Sequence, residues 1–174
     1  MTRPFILFVL VFFAGRLAMA EVSVKEEVPF RADSGLTKAE YFLATGKYAE
    51  ALGETAAVIQ RHGPNADAYT YLGYAYAQLG DSKQARANFT RALALMPTHL
   101  GANAYLALHY LDKNNMAKAL EQMQVLRAVC GASGCEELLL VESAINAAKK
   151  GTRAPTAGPT KASPKRGETP REVE

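Results

Sequence analysis

A spacing of 34 residues governs the middle of this chain. In the stretch opening at Ala66, the residues Tyr69, Leu72, Gly73 and Tyr76 are followed by Ala85, Phe89, Ala92 and Pro97. Adding 34 reaches Leu106, Ala107, Tyr110, Ala119, Met123 and Leu126, although Asn103 stands where the first aromatic is expected. Subtracting 34 reaches Ala39, Phe42, Gly46, Ala51 and Val58, with Lys38 in place of the Leu and Thr55 in place of the Phe. A unit of this length is one supersecondary piece whose apolar face stays uncovered unless it stacks on its neighbours, so the spacing demands an open array. Within the unit, Tyr69, Leu72, Gly73 and Tyr76 fall within roughly a 100° arc of a helix, the geometry of a buried stripe. Gly80 is placed to end that helix at positive φ. Asp81 is placed to cap the next helix, with Gln84 as its capping-box partner, and Pro97 stops it. Asn114 and Asn115 occupy the corresponding turn and cap one unit later.

The order aromatic, Leu, Gly, Tyr, Ala, Phe, Ala, Pro resembles the tetratricopeptide-repeat (TPR) family. All eight places are matched between Tyr69 and Pro97, with Tyr69 where that family usually has Trp. The resemblance implies an all-α chain, a right-handed α-solenoid of three helix pairs spanning about 32–65, 66–99 and 100–132. A capping helix is expected over 134–150: Ser133-Gly134-Cys135-Glu136 reads as a capping box, and Leu138, Val141, Ile145 and Ala148 then share one face. The degenerate first repeat fits a terminal position with a neighbour on one side only.

The resemblance further implies a concave groove lined by the first helix of each pair. Projected from the buried stripe, Asp67, Tyr71, Tyr74 and Gln78 point into it, at about 150° or more from the stripe. The equivalent positions carry Tyr105, Leu108, Leu111 and Asp112 in the third repeat, and Leu36, Glu40 and Leu43 in the first. The expected groove is apolar, rich in exposed tyrosine and edged with acid, suited to a partner polypeptide presenting apolar or aromatic side chains and a basic residue. The alternative is that these tyrosines pack between neighbouring first helices. Chaperone-binding members of the family hold a carboxylate with Lys and Asn at five groove positions; here Leu36, Glu40, Tyr71, Gly101 and Tyr105 stand there, so no such clamp is expected.

Cys130 and Cys135 are the only cysteines and flank a short Gly-containing turn. Their spacing fits neither a redox pair nor haem attachment, and His62, His99 and His109 lie elsewhere in the chain, which leaves a structural disulfide as the expectation. The segment also resembles small exported TPR proteins of Gram-negative bacteria with Cys-x4-Cys after the last repeat. The chain has no phosphate-cradling Gly-rich loop and no local nucleophile–base pair. No cofactor, metal or catalytic residue is expected.

Ahead of the repeats, one positive charge and an apolar run from Phe5 to Gly15 lead to Ala18 and Ala20, the layout of a secretory signal peptide cleaved after Ala20. A membrane anchor would need roughly 20 apolar residues. Residues 21–31 form a polar leader, and residues 151–174 hold four of the eight prolines and little bulky apolar surface, the composition of a disordered tail. Removing residues 1–20 leaves 18 basic against 17 acidic residues, a balance without the basic patch that nucleic-acid binding requires. The sequence therefore predicts an exported, periplasmic, non-enzymatic adaptor for a partner polypeptide, without stable membrane insertion. The alternatives are a structural subunit acting through its convex face and tail, or an accessory factor for an envelope enzyme.

Overall fold

The computed structural model describes residues 34–152, and the expectations placed on the signal peptide, the leader and the tail lie outside the described residues. Among the described residues there are seven α-helices and no strand: α1 (Ser34–Ala44), α2 (Tyr48–His62), α3 (Ala66–Gln78), α4 (Ser82–Leu95), α5 (Leu100–Asp112), α6 (Met116–Cys130) and α7 (Glu136–Lys149). Helices pair as α1 with α2, α3 with α4 and α5 with α6, and each pair rests on the next. The α7 helix lies across α5 and α6 and closes the C-terminal end. This is the all-α solenoid of three pairs that the resemblance implies, with the capping helix expected over 134–150.

The turns inside the three pairs repeat with the same spacing, for a backbone reason. At Gly46 (φ 76°), Gly80 (φ 84°) and Asn114 (φ 55°) the chain enters the left-handed region. Each time the turn residue donates its N–H back to a carbonyl of the last helical turn: Gly46 to Leu43, Gly80 to Ala77 and Asn114 to Leu111. The following residue donates to a carbonyl one position earlier: Lys47 to Phe42, Asp81 to Tyr76 and Asn115 to Tyr110. These are Schellman turns, which satisfy carbonyls that a helix end would otherwise leave unbonded. Asp81 and Asn115 then cap the second helices by accepting the N–H groups of Gln84 and Lys118 at 3.0 and 3.2 Å. The reciprocal arm of the expected capping box is not formed, because the Asp81 N–H is already used by Tyr76.

Close approach within the second pair explains its glycine. A Cβ on Gly73 would lie 2.5 Å from the Phe89 ring, so only glycine lets α3 and α4 meet there. In the first repeat Thr55 replaces that Phe, is fully buried, and turns its hydroxyl onto the Ala51 carbonyl at 2.7 Å. Lys38, where the array expects Leu, points outward and pairs with Glu54 of α2. Among the described residues no repeat stacks on this flank, and the Lys38 side chain stays open to water there. The same opening leaves Tyr41 60% exposed, whereas its counterparts one and two units later, Ala75 and His109, are buried against the preceding pair.

The start of α7 differs from expectation. Ser133 belongs to a 3-10 turn, Gly131–Ser133, and does not cap the helix. Extended Cys135 precedes α7 with no side-chain cap bond. Its sulfur lies at bonding distance from that of Cys130, with Cα atoms 5.6 Å apart. A bond between residues so close in sequence requires a tight turn, and that turn takes up Ser133. The Arg127–Glu142 pair at 2.6 Å adds a second tie between α6 and α7.

Candidate functional site

The first helices α1, α3, α5 and the α7 helix lie side by side, each touching the next, while the second helices α2, α4 and α6 meet one another far less. An array whose first helices are the closer set curves with those helices inside. On that geometry the row α1–α3–α5 is the concave side of the array.

The composition of that face departs from expectation. Tyr71, Tyr74 and Tyr105, expected to stand exposed, are 4%, 7% and 3% exposed and belong to the core. Their rings link successive repeats: Tyr48 meets Tyr74 edge-on with centroids 6.3 Å apart, Tyr74 meets Tyr105 at 5.0 Å, and Tyr105 stacks on Phe89 at 6.3 Å. Leu36 and Leu43 are likewise buried rather than groove-lining. The physical reason is that a helix between two neighbours buries two flanks. A projection from one helix identifies the flank turned from its hairpin partner and does not tell whether the next repeat covers it. Tyr69, Leu72 and Tyr76 of the predicted buried stripe are correspondingly only half-buried, and Gly73 alone of that set is fully enclosed.

What remains accessible on the concave row is narrower. Glu40, Asp67, Leu108 and Leu111 are half-buried, and Gln78 and Asp112 are exposed. Asp112 is paired with Lys113 at 3.1 Å. Burial first, then the Glu40 and Asp67 carboxylates, hold the Tyr71 phenol well above its ordinary pKa, and Glu40 accepts a hydrogen bond from it. The Tyr74 phenol is pushed up to about 12, chiefly by burial. Both rings stay neutral near neutral pH and add no further negative charge to this face.

Sequence reasoning missed His99. It precedes α5 and is 6% exposed; its Nδ1 accepts the Ala102 N–H at 3.0 Å, capping the helix. Its other ring nitrogen, Nε2, donates to Asp67 Oδ1 at 2.8 Å and so ties the second repeat to the third. Asn65, 34 residues earlier, caps α3 by accepting from Ala68 at 3.1 Å, so the position in the repeat was the available signal. Asn103, the residue in place of the aromatic, is buried with its amide donating to the carbonyls of Pro97 and His99 at 3.0 and 2.9 Å. His109 is buried too, with Nε2 at 3.2 Å from the Ser82 hydroxyl. Burial above all, then Lys113 and Arg86, lower its pKa against the opposing effect of Asp112.

Among the described residues no group of His, Cys, Asp and Glu is arranged to hold a metal ion, and no helix is long and apolar enough to cross a membrane. A shallow hollow of about 490 Å³ lies against α7, between Leu139, Glu142, Asn146 and Lys150, away from the first-helix row. Residues 66–99 match the tetratricopeptide-repeat family. No curated protein matches the chain.

Proposed function

We propose that the chain, whose residues 66–99 match the tetratricopeptide-repeat family, a class of array that mediates protein–protein interaction, is a non-catalytic adaptor of the bacterial cell envelope that holds a partner polypeptide along its concave face. The supporting observation is the first-helix row itself. There the half-buried Glu40 and Asp67 and the half-buried Leu108 and Leu111 lie over a floor of tyrosines that fixes the spacing of the repeats. Polar groups at one part of such a face and apolar groups at another suit an extended peptide. Export is supported by the signal-like pattern of residues 1–20 and by the pairing of Cys130 with Cys135, since disulfides persist in oxidising compartments.

Hydrogen exchange on the protein with a partner recovered from an envelope extract tests the surface. Slowed exchange in α1, α3 and α5 is the expected result, and slowing confined to α2, α4 and α6 would reject the concave face. The intact mass of the exported protein should correspond to a chain beginning at Glu21, whereas a chain retaining Met1 in a membrane fraction would reject the signal reading. A second reading, docking through the convex face, is favoured by one observation. The exposed side of α4 carries Lys83, Arg86 and Arg91 with no ion-pair partner among the described residues, Arg91 instead covering the Tyr69 ring.

A further inference from the structure

Two carboxylates on the concave row lack the partner that their neighbours have. The half-buried Glu54 and Glu142 are each paired, with Lys38 and Arg127. Glu40 and Asp67 have no Lys or Arg partner among the described residues, although both are partly withdrawn from water and both lie near the Tyr71 hydroxyl. Asp67 does meet His99, through one contact at 2.8 Å on one of its two oxygens, Oδ1. The ring nitrogen Nδ1 of His99 accepts the Ala102 N–H, so the ring offers Asp67 a single Nε2–H donor. Two partly desolvated negative charges without a Lys or Arg partner are an unfavourable arrangement that an incoming ammonium or guanidinium would relieve. One helix further along the row, Leu108 and Leu111 of α5 offer apolar surface.

We propose that the concave face selects a partner segment carrying a Lys or Arg that lies between Glu40 and Asp67, followed by an apolar side chain against Leu108 and Leu111. The inference rests on the concave-face reading above and specifies the chemistry of its occupant. Neighbouring helix axes lie about 8–10 Å apart and an extended chain advances about 3.3 Å per residue. From between α1 and α3 to α5 is about one and a half such spacings, so the basic and apolar residues should stand roughly four to five positions apart. The first contact is electrostatic and only partly shielded, so binding should weaken as salt is raised.

Selection of random short peptides displayed on phage, against the full chain, tests this. Enriched peptides should carry Lys or Arg about four to five residues from a large apolar side chain, and the same selection against Glu40→Gln should lose the basic residue. A synthetic enriched peptide should bind Glu40→Gln about tenfold more weakly, the equivalent of roughly 1.4 kcal/mol. Asp67→Asn, which keeps an acceptor for His99, should act in the same direction with an unchanged melting temperature. Enriched peptides without a basic residue, or a basic peptide that binds Glu40→Gln undiminished, would overturn the proposal while leaving the concave face in place. Peptides that slow exchange in α2 and α4 instead, or no enrichment at all, would overturn the concave-face reading itself.

Discussion

At the scale of single residues, the concave tyrosines are the clearest case of position deciding role. Tyr74 sits between Tyr48 and Tyr105 and is buried, so Tyr74→Ala removes ring contacts on both sides and opens a cavity between repeats. Truncations of large buried rings cost about 3–5 kcal/mol, and chemical denaturation should show a loss in that range. A loss below about 1 kcal/mol, the size expected of an exposed site, would mean that the ring is free to serve as a binding anchor. His109 gives a pH dependence whose sign follows from its burial. Its folded pKa lies below the ordinary 6.5, so the unfolded chain takes up the proton first as pH falls. Its contribution is fully present above about pH 6.5 and is lost as pH falls through the folded value. The fall in melting temperature between pH 7 and pH 5 should shrink in His109→Phe, which keeps a ring beside Phe89.

At the scale of elements, the helices and the turns inside each pair are legible in the sequence because local chemistry sets them. Gly46, Gly80 and Asn114 have to follow a helix end, and Asp81 and Asn115 have to precede the next one, whatever the rest of the chain does. Two kinds of feature were not legible. The burial of Tyr71, Tyr74 and Tyr105 depends on the next pair of helices, and the capping of α5 by His99 depends on a carboxylate from another repeat. Neither follows from periodicity within one helix. The beginning of α7 was misread at Ser133 because a cross-link, rather than a cap, sets it. Closing so short a loop is worth about 2 kcal/mol by chain entropy. Replacing both Cys130 and Cys135 by Ser should lower stability by about that amount, and amide exchange in α7 should accelerate before that in α3 and α4. Uniform acceleration along the chain would show that the bridge does not act on the capping helix.

At the scale of the whole molecule, each helix pair touches only its neighbours, and stability is then close to a sum of units and junctions. The two ends are unequal. The C-terminal end is covered by α7, held by the Cys130–Cys135 bridge and by Arg127 with Glu142, whereas the described N-terminal flank shows Lys38 and the exposed Tyr41. Native-state exchange should therefore form a gradient, fastest in α1 and α2 and slowest in α4 and α5, where units lie on both sides. Equal rates in α1 and α5 would contradict it.

The same inequality gives the array a direction of growth. A further copy of the unit at residues 66–99, spliced in beside the original, would meet on each side a surface already shaped for it, since its turn recurs in register at Gly46 and Asn114 and its second-helix cap recurs at Asn115. A copy appended after α7 would face a helix turned to water and fastened in place. Lengthening by duplication is thus open within the stack and closed at the end that α7 seals, so a longer relative of this chain would be expected to keep its last helix and its cysteine pair unchanged while the count of units before them varies.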